Sequence, residues 1–254
     1  MNGLKKAISI AAKIFAVFLI VVIIGTIVQS VAIILRGSAL DFGGHKENNT
    51  SYITSDYIDS LDGDCLVIEV KATDVVINSG DKFEYKTNND CVTVNNENGR
   101  ITVKEEKIAT GLDSSKLELT IPRDKVFSTI ELSGGAGNIT VNGLNAENLE
   151  FKLGVGDVTV NDLVISDNAE IDCGVGDFTV NGGAFNDIEL NIGVGNATLN
   201  ASGTADEYTV YVSRAIGDIA VDGKKISSDK TIGNGSKSIE VNGGMGNLKI
   251  LFAN

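Results

Sequence analysis

The sequence predicts an all-β chain folded as a right-handed parallel β-solenoid (β-helix) of about 20-residue coils, preceded by one N-terminal transmembrane α-helix. Two observations predict the solenoid. First, one line of residues recurs as Gly135-Ala136-Gly137-Asn138-Ile139-Thr140-Val141-Asn142, Gly154-Val155-Gly156-Asp157-Val158-Thr159-Val160-Asn161, Gly174-Val175-Gly176-Asp177-Phe178-Thr179-Val180-Asn181 and Gly193-Val194-Gly195-Asn196-Ala197-Thr198-Leu199-Asn200. The starts lie 19, 20 and 19 residues apart, the period of a stacked array. Second, apolar residues alternate with polar ones on either side of each G-x-G-D/N, as in Leu149, Phe151 and Leu153, or Val158 and Val160. Period two means strands with one face in and one face out. The helix rests on a third observation, the uncharged run from Ile14 to Leu35.

At G-x-G-D/N the chain must turn sharply. Glycine reaches positive φ without a Cβ clash, and Asn or Asp tolerates that region next best. The apolar residue inside each turn, Ala136, Val155, Val175 or Val194, is expected to point inward at the corner. Stacking the lines builds columns. Ile139, Val158, Phe178 and Ala197 form one inward column, and Val141, Val160, Val180 and Leu199 another. Thr140, Thr159, Thr179 and Thr198 stack outward, as do Asn142, Asn161, Asn181 and Asn200. Like residues about 4.8 Å apart, with amides bonding along an Asn ladder, suit a parallel in-register stack. A single coil buries too few apolar side chains to offset the ordering of its backbone, so each needs a neighbour above and below. Parallel crossovers are right-handed by default. An antiparallel sandwich of similar strands does not require same-type columns at fixed spacing.

In chain order, residues 1–13 read as a cytoplasmic tail, 14–35 as the transmembrane helix, 36–64 as a linker or cap, and 65–254 as the solenoid body, with regular repeats from about residue 132. The 22 residues from Ile14 to Leu35 would span about 33 Å as a helix, enough for a bilayer core of about 30 Å. A cleaved signal peptide has a shorter apolar region, so an uncleaved signal anchor fits better. Lys5, Lys6 and Lys13 precede the run and Arg36 follows it. The positive-inside rule then puts the N-terminus in the cytoplasm and the body outside.

Net charge is −13, and the first 36 residues hold four cations and no acid, so the remainder carries −17. An acidic body excludes nucleic acid, which wants a basic face, and matches anionic lipid headgroups poorly. From Cys65 to Pro122 the alternation continues without the G-x-G-D signature. These strands form either irregular early coils or a small antiparallel portion. Asn98-Gly99 is a tight-turn signal between two of them. After Gly203 the pattern drifts through Tyr208–Val212 and Ala215-Ile216-Gly217-Asp218. An insertion occupies about Lys224 to Lys237, and the final coil ends at Gly244-Met245-Gly246-Asn247-Leu248-Lys249-Ile250. With no capping helix after it, this last coil is expected to leave an open edge, a route to homo-association.

The β-rich stretch, then Leu117 to Ile121 with Pro122-Arg123, then the spaced G-x-G-D/N-hydrophobic-Thr-hydrophobic strands, resembles the bacterial "putative adhesin" family. That family is a domain of unknown function built of short β-strand repeats. The resemblance covers about residues 65–254. It implies a β-solenoid ectodomain, often membrane-tethered in bacterial envelopes, with adhesion as its named role and no catalytic motif to carry over. The chain is also distantly similar to the C-terminal domains of membrane proteins that regulate envelope-stress signalling.

Candidate chemistry is sparse. Asp157, Asp177 and Asp218 at equivalent turns suggest calcium, but Asn138, Asn196 and Asn247 alternate with them. Calcium wants six to eight oxygens, so turn geometry explains these acids better. Phosphate loops need a helix after the glycines, and here a strand follows. Cys173 falls in the column of Leu153 and Ile192 and reads as an apolar filler. Cys65 and Cys91 are either a disulfide or two small core residues. His45, the one histidine, lies in a polar linker, where a solvated role is expected. Asp162, Asp167, Asp172 and Asp187 read as a solvated acidic surface rather than the carboxylate cluster of a glycan-cleaving solenoid. Arg214 stands in the column of Leu153, Cys173 and Ile192 without a sequence-level explanation. No catalytic, cofactor-binding or metal-binding residue is expected. The expected role is a non-enzymatic, membrane-anchored envelope module binding a protein or cell-wall glycan partner. The alternatives are a regulatory component of envelope-stress signalling and, third, a glycan-active β-helix enzyme.

Overall fold

In the computed structural model the described residues are 54–58 (backbone only), 63–109, 112, 114–213 and 215–253. The expected cytoplasmic tail, the transmembrane helix at 14–35, most of the 36–64 linker, His45 and Arg214 lie outside them. Among the described residues no helix is long and apolar enough to cross a membrane.

The chain forms β1 (Thr54–Ile58), β2 (Cys65–Ala72), β3 (Asp74–Gly80), β4 (Phe83–Thr87), β5 (Val92–Glu97), β6 (Arg100–Glu105), β7 (Lys116–Pro122), β8 (Phe127–Ala136) and β9 (Ile139–Val155). Then come β10 (Val158–Val175), β11 (Phe178–Val194), β12 (Ala197–Ser202), β13 (Tyr208–Ser213), β14 (Ile219–Val221), β15 (Lys224–Ile226), β16 (Lys230–Gly233), β17 (Lys237–Asn242) and β18 (Leu248–Ala253). A single 3₁₀ turn, Ala205–Glu207, is the helical content of the described residues. β9, β10 and β11 each continue from one face of the stack around to the other.

One face runs β5, β6, β2, β8, the later halves of β9, β10 and β11, then β17, β13 and β16. The opposite face runs β1, β4, β7, β3, the earlier halves of β9, β10 and β11, then β12, β18, β14 and β15. Every interior pairing is parallel. Antiparallel pairing is confined to the ends, at β5–β6, β1–β4, β4–β7, β13–β16 and β14–β15. Both alternatives for the early strands are therefore realised: β2, β3, β6 and β7 make parallel coils, and β1, β4 and β5 add an antiparallel border. The region expected as linker contributes β1 to that border.

The predicted columns stand in register. Val158 pairs with Ile139 and Phe178, and Phe178 with Ala197. The matching inward column is Val141, Val160, Val180 and Leu199, and all eight side chains are buried. They belong to one apolar core running the length of the stack. Outside, the Asn161 Nδ2 donates to Asn142 Oδ1 at 2.8 Å, Asn181 to Asn161 at 3.0 Å and Asn200 to Asn181 at 3.3 Å. Asn142 donates in turn to Asn78 Oδ1 at 2.9 Å, so the ladder reaches back into the early strands.

The order of coils differs from the order of the chain at both ends. β6 and β7 lie outside β2 and β3. The last strands, β17 and β18, insert between β11–β12 and the earlier-made β13–β14. The final coil is thus interior, contrary to the expected open edge. The insertion at 224–237 supplies the actual border as β15 and β16, of three and four residues, carrying Lys224, Lys225 and Lys230. Short, lysine-bearing strands blunt a sheet edge against further pairing.

Candidate functional site

The repeated corner is the surface most unlike the rest of the stack. Its second glycine, Gly137, Gly156, Gly176, Gly195, Gly217 or Gly246, holds positive φ, +143° at Gly156 for example, and a Cβ there would lie 2.0 Å from the Gly137 carbonyl oxygen. Successive corners therefore approach backbone to backbone, which a side chain would prevent. The Asp or Asn that follows binds the neighbouring coil. Asn138 N–H donates to Asp74 Oδ1 at 2.7 Å, Asp157 N–H to Asn138 Oδ1 at 3.0 Å, and Asp177 N–H to Asp157 Oδ1 at 2.8 Å. Asn196 donates to Asp177, Asn247 to Asn196 and Asp218 to Asn247 in the same way. Asp and Asn interchange here because each offers the same Oδ1 acceptor. The Asp157 and Asp177 carboxylates are thus engaged with backbone N–H groups, and Asp218, at the last corner, accepts from Lys225 Nζ at 3.0 Å.

The apolar corner residues do not point inward as expected. Val155 is 38% exposed, Val175 40%, Met245 50% and Ile216 69%. Ala136 is also exposed and Val194 half-buried. The inner corner is already closed: a Cβ on Gly134 would meet Leu153 Cδ1 at 2.7 Å and Ile139 Cδ1 at 3.4 Å. Register stacks the outward residues as Ala136, Val155, Val175, Val194, Met245 and Ile216. The result is an apolar ridge along the stack, at about 4.8 Å per step.

Beside the ridge lies an open groove of about 690 Å³. Gly135, Gly154, Gly174 and Gly193 pave it, and Leu153, Cys173 and Ile192 show through the floor. Its far wall is the outward column Ser133, Lys152, Asp172, Asn191 and Asn242. Asn191 Nδ2 donates to Asp172 Oδ1 at 2.8 Å, and Asn242 Nδ2 to Asn191 Oδ1 at 3.0 Å. Lys152 pairs with Glu150, whose hydrogen bond raises the ammonium pKa.

Cys173 occupies the column of Leu153 and Ile192, as the sequence predicted. Burial pushes its thiol up to about 12, with the Asp172 charge adding to the shift, so it is protonated at neutral pH and a poor nucleophile. Cys65 and Cys91 are free thiols, which resolves the open alternative against a disulfide. Among the described residues, no group of three or more His, Cys, Asp or Glu side chains could hold a metal ion. Asp162, Asp167, Asp172 and Asp187 do not converge: Asp162 sits at a left-handed bend of φ +55°, Asp172 lines the groove, and Asp187 accepts from Ser238 in the next coil. The sequence missed the ridge because its residues carry no polar signature.

Stacked parallel coils with glycine corners and side-chain ladders define a β-strand repeat protein of the solenoid class. Residues 64–250 match the family described as Toastrack DUF4097, and the chain belongs to that family. Solved structures with a similar course include a "putative cell adhesion protein" from Clostridium sporogenes, 12% identical, with a TM-score of 0.46 over 79% of this chain and 98% of that one. Another is a "putative adhesin" from Bacteroides fragilis, 16% identical, with a TM-score of 0.48 over 78% of this chain and 96% of that one. No curated protein matches the chain.

Proposed function

We propose that the chain is a single-pass envelope protein, with its N-terminus cytoplasmic and its stacked body outside the cell, acting as a non-enzymatic adhesin-like module that binds a protein or cell-wall partner. One observation supports the binding role above others. The corner presents an apolar ridge and an adjoining groove in coil after coil, while its backbone groups are consumed within the stack. Gly156 N–H donates to Val175 O, Gly176 N–H to Val194 O and Gly195 N–H to Met245 O. Only side chains and the glycine floor remain free to meet a partner. Contiguous exposed apolar surface of this kind marks interaction sites. The membrane tether rests on the uncharged Ile14–Leu35 run and its flanking cations.

A photo-crosslinking amino acid at position 175 of the full chain, in intact bacteria, tests both parts. The expected outcome is a discrete adduct with an envelope protein or wall fragment, together with cleavage of the body by protease added outside. Protection of the body until the cells are lysed would refute the topology. Absence of any adduct at 155, 175 or 194 would refute the binding surface.

A further inference from the structure

The ridge and groove do not stand on a neutral surface. Two residues before the groove wall on each strand, Glu150, Glu170, Glu189 and Glu240 stack in one outward column. Glu150 is answered by Lys152. Along the next coils no lysine or arginine among the described residues lies within ion-pair distance of Glu170, Asp172, Glu189 or Glu240. Their hydrogen-bond donors are neutral amides: Asn191 reaches Asp172 and Glu189, and Asn242 reaches Glu189 at 3.3 Å. Like charges stacked directly across a sheet destabilise it. Lys152, across from Asp172, relieves part of that repulsion at Glu150, Glu170 and Asp172; Glu189 and Glu240, further along, have no ion-pair partner among the described residues.

We propose that the groove docks an extended cationic amphipathic segment of a partner protein. The segment runs along the stack over Gly174 and Gly193. Successive side chains of an extended chain point to opposite sides. On one side its lysines or arginines meet Asp172 and, through their long stems, Glu170, Glu189 and Glu240. On the other its apolar side chains cover Val175, Val194 and Met245. Charge complementarity selects this occupant. An anionic lipid surface meets a row of carboxylates, and a second copy of this chain brings the same carboxylates with it. The proposal deepens, and rests on, the partner-binding role above.

The test uses the full-length chain in a neutral detergent and a fluorescein-labelled peptide of alternating Lys and Val, titrated by anisotropy. The Lys-Val peptide is expected to bind, while Glu-Val and Lys-Ser peptides do not. Glu170→Gln, Glu189→Gln and Glu240→Gln together should weaken binding by at least about tenfold, as should Val175→Ser with Val194→Ser. Removing stacked like charges does not cost stability, so the triple variant should unfold at the parent's urea midpoint or above it; Glu189→Gln alone gives an independent reading. Equal binding of the Lys-Ser peptide, or parent-like affinity in the triple variant, overturns the proposal. So does a concentration-dependent dimer lost on Val175→Ser, which would make the ridge an interface between copies. A crosslink at 175 in cells without binding of the Lys-Val peptide overturns the cationic segment alone; loss of both overturns the binding role as well.

Discussion

The interior coils, from Ile139 to Asn200, and the two ends of the stack meet the same requirement by different means. Every backbone N–H and C=O needs a partner. In the interior the next coil supplies it, so one solution repeats: glycine corner, Asx acceptor, Thr and Asn columns. At the ends there is no next coil, and each solution is particular. Lys71 and Ala72 N–H groups donate to the Glu105 carboxylate at 2.6 and 2.9 Å. The Glu105 side chain stands where a further coil's backbone carbonyls would be. It is 1% exposed and also accepts from Asn89 Nδ2 at 3.0 Å, which itself donates to Ser115 Oγ at 2.8 Å. At the opposite end, Glu207 accepts from Thr204 N–H and from Lys237 Nζ, and Lys237 also lies over the Tyr208 ring at 5.3 Å. Repetition is the economy of a residue with identical neighbours; an end must be individually made.

That contrast can be broken most severely at the glycines. Gly156→Ala places a Cβ 2.0 Å from a backbone oxygen at a φ of +143°, and should cost about 3–5 kcal/mol. Gly223→Ala in the border hairpin, where φ is +73° with nothing within 4 Å, should cost only about 1 kcal/mol. Equal urea midpoints for the two variants would deny that close stacking is what demands the interior glycines.

A smaller loss is expected at the N-terminal end. Glu105→Ala leaves buried N–H groups without acceptors, a cost of about 1–3 kcal/mol. Glu105→Gln keeps an oxygen and should lose less. Hydrogen exchange at Lys71 and Ala72 should accelerate in the alanine variant, and unchanged protection there would rule out the capping role.

The mildest effect is expected in acid at the C-terminal end. The Lys237 hydrogen bond, followed by the Thr204 N–H, holds the Glu207 carboxyl below its ordinary value of 4.5. A carboxyl with a depressed folded pKa contributes stability above its unfolded pKa and loses it as pH falls through the folded one. The Glu207→Gln variant should therefore show a shallower stability decline below about pH 4.5 than the parent. Identical slopes would show that the pair contributes nothing.

The same contrast governs what could be read from sequence. The columns through Val158, Phe178 and Ala197, the Asn ladder and the Asn98-Gly99 hairpin were legible because periodic environments leave periodic residues. Asp222-Gly223, at φ +49° and +73°, carried the same hairpin signal at the opposite border. The Glu105, Asn89 and Ser115 network was not legible, since a unique end leaves no repeat. Corner direction failed for a specific reason. The apolar character of Val155 reads as inward, and alternation from buried Leu153 agrees, but Gly154 and Val155 both face out as the strand rounds the corner. Alternation holds only while the chain is straight.

The inserted final coil has a consequence for synthesis. Residues 208–221 leave the ribosome before 237–253, yet they pair only with those later residues and with their own border strands. Growth from the N-terminus can complete the stack as far as Asn200 and must then pause. The closing segment has to arrive and slot in like a keystone, so a nascent chain stopped before residue 237 would hold residues 201–236 without their strand partners in β17 and β18 and open to quality-control proteases.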